Sequence, residues 1–154
     1  MNSSSSEQIK SNSASNEPQT DGSSQPSGIS LSTLTSKSAA MVLMNTLDVL
    51  RDGCARPTVP ASVIQHLLAV AANPEGMSLF DLAKITGTST ATSYRIVDHL
   101  ATGSPDGRNK GLYLVETYSD PMNRARKMVI LTVKGERLIA STLETLIKNL
   151  QRAA

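Results

Sequence analysis

The sequence predicts a mainly helical (α+β) fold carrying one small β-hairpin, on three observations. Aromatic residues are limited to Phe80, Tyr94, Tyr113 and Tyr118, with no tryptophan, so the interior must be built from Leu, Ile, Val, Met and Ala, which suits helix packed on helix. From about Ser36 onward, apolar residues recur at three- and four-residue spacing through most of the chain. Only two runs, Leu112 to Tyr118 and Lys127 to Thr132, have strand character, and the turn-forming Asp120-Pro121-Met122-Asn123 separates them.

The 154 residues suit one folded domain with a modest core. The first thirty contain eleven serines and offer only Met1, Ile9 and Ile29 as sizeable apolar groups, too few to offset the entropy of ordering the backbone. Residues 1–35 are therefore expected to be a disordered tail, and 36–154 the folded body. The tail has one Lys and three acidic residues, whereas the body has fourteen Lys/Arg against ten Asp/Glu, so the basic character belongs to the body.

A first amphipathic helix follows from Ala40, Leu43, Leu47 and Leu50, stopped by Asp52-Gly53. Pro60 opens a second, with Val63, Ile64, Leu67, Leu68 and Val70 ahead of the breaker Asn73-Pro74-Glu75-Gly76. Ser78 stands three residues before Asp81 in a near capping box, and Leu79, Leu82, Ala83 and Ile85 form a short third helix ending at Gly87. Thr88-Ser89-Thr90 can cap a fourth helix reaching about Thr102. After the hairpin, Thr132 can cap a last helix with Ile139, Leu143, Leu146 and Leu150 on one seam.

Enzyme chemistry finds no foothold. Cys54 is the single cysteine, which excludes an internal disulfide framework or a multi-cysteine zinc site, and it reads as a small structural side chain. His66 lies among apolar residues and His99 on the fourth helix, neither with partners at metal or triad spacing. A phosphate-binding loop and a dinucleotide fingerprint are absent, so no cofactor is expected. No apolar run reaches membrane-spanning length, and a cytoplasmic location is expected.

The informative unit is Ser78 to Thr132: a short helix, a tight Gly87 turn, a second helix opening on hydroxylated residues, and a hairpin with a basic tip. This is the order of a winged helix-turn-helix, in which the first helix braces the second for entry into a major groove. Helical spacing puts Ser93, Ile96, Val97 and Leu100 on one face of the fourth helix and Ala91, Arg95 and Asp98 on the other, with Thr92 and Tyr94 at the borders. Ser89, Thr90 and Thr92 at its start suit phosphate oxygens, Arg95 a guanine edge, and Tyr94 a phosphate or thymine methyl. Asp98 would orient Arg95 or meet a cytosine amino group. Arg124, Arg126 and Lys127 at the hairpin suit a minor groove or the DNA backbone, with Arg108 and Lys110 adding to the same field.

Over about Val63 to Leu138 these residues resemble the MarR-like winged-helix regulators. The likeness rests on the order of elements, on Tyr94-Arg95-Ile96-Val97-Asp98-His99-Leu100, and on a wing that runs from Asp120 through Asn123-Arg124 to Leu131-Thr132-Val133-Lys134-Gly135. The family's wing reads Asp-Arg-Arg a few residues before Leu-Thr-x-x-Gly. Here Asn123 and Arg124 take the first two places and Ala125 replaces the second arginine, so the resemblance gives the DNA-contacting role to Arg124 and leaves Arg126 displaced by one. Two departures stand out: an insertion, Ser104 to Lys110, before the hairpin, and one C-terminal helix where the family has two.

The resemblance implies a sequence-specific, double-stranded-DNA-binding transcriptional regulator, repressor ahead of activator. It also implies a homodimer formed through the terminal helices, 36–52 and 133–151; alternatively, those helices complete the monomer's own core. An effector ligand has no support in the residues. Two further readings keep the scaffold: a protein-docking winged helix, and an accessory factor of DNA replication or recombination.

Overall fold

The computed structural model describes residues 35–103 and 110–153. The expected tail, apart from Thr35, and most of the Ser104 to Lys110 insertion lie outside the described residues. Among the described residues five helices and three strands follow one another: α1 (Ser36–Gly53), α2 (Ala61–Ala71), β1 (Met77–Ser78), α3 (Leu79–Thr86), α4 (Thr90–Leu100), β2 (Val115–Ser119), β3 (Lys127–Leu131) and α5 (Val133–Ala153).

Local chemistry sets most of the helix ends. Thr35 Oγ1 accepts from the Ser38 amide at 3.2 Å to start α1. Pro60 precedes the first turn of α2, where a missing N–H costs nothing. Ser78 Oγ accepts from the Asp81 amide at 3.1 Å, and Gly87, at φ 65°, ends α3 in the left-handed region. Thr132 Oγ1 accepts from the Gly135 amide at 3.1 Å and opens α5.

The strands pair antiparallel in the order β1-β3-β2, with Thr117 opposite Val129 on one side and Met77 opposite Val129 on the other. β1, two residues long, is not legible in the sequence; it exists because β3 offers it a free edge. The hairpin's first strand begins three residues later than the spacing suggests. Before Val115, the amides of Leu112, Tyr113 and Leu114 bond to the carbonyls of His99, Ala101 and Leu100 at 2.8–3.0 Å, and Tyr113 sits at φ 58°. That segment satisfies the end of α4 instead of a neighbouring strand. For the same reason α4 stops at Leu100, short of the expected Thr102, with Ala101 already out of helical geometry.

The core gathers Leu67 and Val70 of α2, Leu82 of α3, Val97 and Leu100 of α4, Leu114 and Val115 at the entry to β2, and Val129 of β3. Their burial supplies the main driving force for folding. Ile85, placed on the apolar face of α3 by spacing, is instead exposed, because the eight-residue helix makes little more than two turns and turns only Leu79, Leu82 and Ala83 into the core. Cys54 is buried, and the loss of hydration raises its thiol pKa against the opposing fields of Lys134 and Arg56.

α1 and α5 pack on each other within the one chain, with Leu50 and Val42 turned inward and Leu138 and Thr142 facing them. This pairing leaves much of the predicted seam uncovered. Of that seam, Leu43 and Leu47 of α1 and Leu143 of α5 are at least half exposed, and beside them Met41 and Met44 are likewise at least half exposed and Ile147 about half.

Candidate nucleic-acid interface

The candidate surface is built on α4. Ser93, Ile96, Val97 and Leu100 are buried as the helical spacing requires, so Ala91, Thr92, Tyr94 and Arg95 face outward, with Asp98 half-buried beside them. Ser89 Oγ accepts from the Thr92 amide at 3.1 Å and lies 2.9 Å from Thr92 Oγ1, so these two hydroxyls close the first turn on each other. The remaining first-turn amides have no acceptor within the helix, and they open onto the exposed end together with Thr90. Among the described residues no hydrogen bond or ion pair joins Arg95 to Asp98. Burial, and secondarily Arg56, push the His99 pKa below the ordinary histidine value.

The wing stands alongside. Its tip is a pair of turns: the Asn123 amide bonds to the Asp120 carbonyl at 3.1 Å, and the Arg126 amide to the Asn123 carbonyl at 2.8 Å. The side chains of Asp120 and Asn123 accept from the amides of Met122 and Ala125, the use of short polar side chains that turn chemistry favours. Arg124 is exposed at this tip.

Wing and helices are joined at two points. Lys127 Nζ lies 5.1 Å from the centroid of the Tyr94 ring, a cation held over an aromatic face. The nearby Tyr94, and secondarily the charge of Asp98, raise the Lys127 pKa above the ordinary lysine value. Arg126 Nη2 lies 2.9 Å from Asp81 Oδ2, and Nη1 is 4.0 Å from Asp120. Asp81 also accepts from the Ser78 hydroxyl, and this bond first, then Arg126, lowers its pKa. Arg126 thus ties the turn at the wing's tip to the N-terminus of α3, while Arg124 and Lys127 remain exposed.

Together these residues enclose an open cleft of about 310 Å³ between α4 and the wing, lined by Phe80, Thr90, Tyr94, Asn123, Arg126 and Lys127 among others. The structure brings the expected Thr90, Tyr94, Arg126 and Lys127 to one place. Two participants were missed in the sequence. The sequence marks Asp81 only as a capping residue, and Phe80, 68% exposed, carries no signal beyond being the chain's single phenylalanine and falling off the apolar stripe of α3.

A helix-turn-helix braced by α2, with a hairpin wing packed against its second helix, is a winged helix. Comparison with solved structures agrees. The chain aligns with RV1404 from Mycobacterium tuberculosis at a TM-score of 0.59 and 16% identity, over 75% of this chain and 71% of that one. It aligns with S. aureus MepR, solved as a DNA complex, at 0.58 and 16% identity over 73% and 82% of the two chains. The transcriptional regulator Tm0710 from Thermotoga maritima follows at 0.56 and 21% identity over 75% and 72%. MarR itself shares the arrangement at 0.50 and 19% identity over 72% and 74%. The fold is therefore the MarR-like winged helix with flanking helices, as the residues of α4 and the wing suggested. No family model and no curated relative matches the chain.

Proposed function

We propose that this chain is a DNA-binding transcriptional regulator that lays α4 in a major groove and sets the β2–β3 wing on the backbone or in the adjacent minor groove. The observation that carries the proposal is the alignment of two surfaces: the outward face of α4 and the cationic wing meet at the Tyr94–Lys127 contact and present one continuous front. Ser89, Thr90 and Thr92 sit at the helix end where backbone amides and hydroxyls receive phosphate. Arg95 stands exposed one turn further along, where a guanidinium can take both acceptors of a guanine edge, with Asp98 beside it for a cytosine amino group. Tyr94, Arg124 and Lys127 take the flanking backbone, and Arg126 supports them from the wing's turn while remaining half exposed.

The uncovered apolar strip of α1 and α5 supports a two-fold dimer through these helices, in addition to their packing inside one chain. Such a dimer places two recognition helices about 34 Å apart, one turn of duplex, and reads a palindrome. Among the described residues no helix is long and apolar enough to cross a membrane.

The test is retention of random-sequence duplex by the full chain at two salt concentrations, with sequencing of what is kept. An enriched palindrome whose binding weakens steeply with salt is the expected result. No retention at low salt overturns the proposal and points to a protein-docking winged helix. On the enriched site, Arg95→Ala should lose about 1–3 kcal/mol and relax the preference at one base pair. Equal loss on enriched and random duplex would remove Arg95 from base readout.

A further inference from the structure

One buried polar group stands outside this interface. His66 of α2 is fully buried where α2, α3 and α4 converge. Its Nδ1 lies 2.7 Å from the Ser62 carbonyl, and its Nε2 lies 3.0 Å from Ser93 Oγ of α4 and 3.3 Å from Thr86 Oγ1 at the end of α3. Ser93 Oγ is also 2.8 Å from Thr88 Oγ1, and Thr88 Oγ1 is 3.1 Å from Thr86 Oγ1, so two threonine hydroxyls meet across Gly87.

The proton positions follow from what each atom can do. A carbonyl only accepts, so Nδ1 carries the proton toward Ser62, and in the neutral ring Nε2 is then a bare acceptor. Thr86 gives its single hydroxyl proton to the Leu82 carbonyl at 2.8 Å and has none left for the ring. Ser93 therefore donates to His66 Nε2, and Thr88 donates to Ser93 or to Thr86. Among the described residues no buried side-chain polar atom is left without a partner.

We propose that His66 is a positioning residue for the recognition helix: keyed in one tautomer by Ser62, it clamps Ser93 and thereby fixes the angle at which α4 leaves the Gly87 turn. This inference rests on the DNA-binding reading and adds the residue that aims the site. Gly87 sits in open space, with nothing within 4 Å of where a side chain would begin, so side-chain packing does not brace the turn itself. An apolar side chain in place of His66 fills the same volume yet lets α4 slide. A fully satisfied polar junction admits one arrangement, and Arg95 lies only two residues beyond Ser93 on the helix so held.

The experiment compares the full chain with His66→Met, Ser93→Ala and His66→Gln, using the duplex enriched by the wild-type chain and a random duplex as probes. His66→Met and Ser93→Ala are expected to lose about tenfold on the enriched duplex and no more than about twofold on the random one. His66→Gln, whose amide can reach the position of Nε2, is expected to restore most of that loss. A long-range proton–nitrogen spectrum of the wild-type imidazole is expected to show the Nδ1–H tautomer. Equal losses on both probes, a fall in Tm without a change in their ratio, or the Nε2–H tautomer would each overturn the proposal. If His66→Met does not fold, Ser93→Ala and the spectrum still decide it. A wild-type chain that retains no duplex removes the DNA reading and this inference together, whereas an enriched site bound equally well by the folded variants removes only the inference.

Discussion

Gly135→Ala sets two physical effects of opposite sign against each other. Gly135 lies in the first turn of α5, where alanine's higher helix propensity favours the substitution by about 1 kcal/mol. A Cβ at this position, however, would overlap the Leu114 carbonyl oxygen and come within 3.2 Å of Leu131 Cδ2. That carbonyl already accepts from the Thr132 amide at 3.0 Å, and Thr132 Oγ1 donates to the Tyr113 carbonyl at 2.8 Å. The methyl must therefore push the start of α5 away from the strand entry and break or lengthen these bonds. Overpacking costs about 1–3 kcal/mol and one lost hydrogen bond about 1 kcal/mol. With the propensity gain subtracted, the net loss is about 2 kcal/mol. For a domain of this size that lowers Tm by roughly 8 °C. Thermal unfolding followed by circular dichroism, at matched protein concentration, measures it. A variant melting at or above the wild type would refute the reasoning, because it would mean that propensity alone governs the site.

Three further outcomes are expected. Lys127→Ala should weaken enriched and random duplex alike and reduce the slope of log affinity against log salt by about 1, read by anisotropy titration. Asp81 has its pKa lowered in the folded state, so its contribution to stability is present above the ordinary carboxylate value and is lost as pH falls through the depressed one. Asp81→Asn should accordingly be less stable than wild type at neutral pH, with the gap closing in acid, as measured by urea midpoints; a gap independent of pH would contradict the Ser78–Asp81–Arg126 linkage. Cys54, with its thiol pKa raised by burial, should resist alkylation in the native chain and react once unfolded, as counted by mass spectrometry.

Much of the fold was legible because its signals are local. Ser78, Ser89 and Thr132 announce helix starts through hydroxyls that reach amides three residues on, and Gly87 announces a helix end through its left-handed φ. The faces of α4 followed from spacing alone, since a helix of fixed period cannot bury Ile96, Val97 and Leu100 without exposing Arg95. The errors fell where a segment's partner lies elsewhere in the chain. Leu112 to Leu114 read as strand but spend their amides on α4, and Ile85 read as core on a helix too short to bury it.

The sequence by itself determined the helices, the hairpin, the outward face of α4 and the cluster of cations on the wing, because each depends on residues within a few positions of one another. Only the tertiary structure decided that Arg126 meets Asp81 across forty-five positions, that His66 clamps Ser93 across twenty-seven, and that the α1 seam splits into an inward edge and an uncovered strip. Periodicity states which face of an element is apolar or charged. What that face meets is set by how the elements pack, and packing joins residues whose distance along the chain carries no signal.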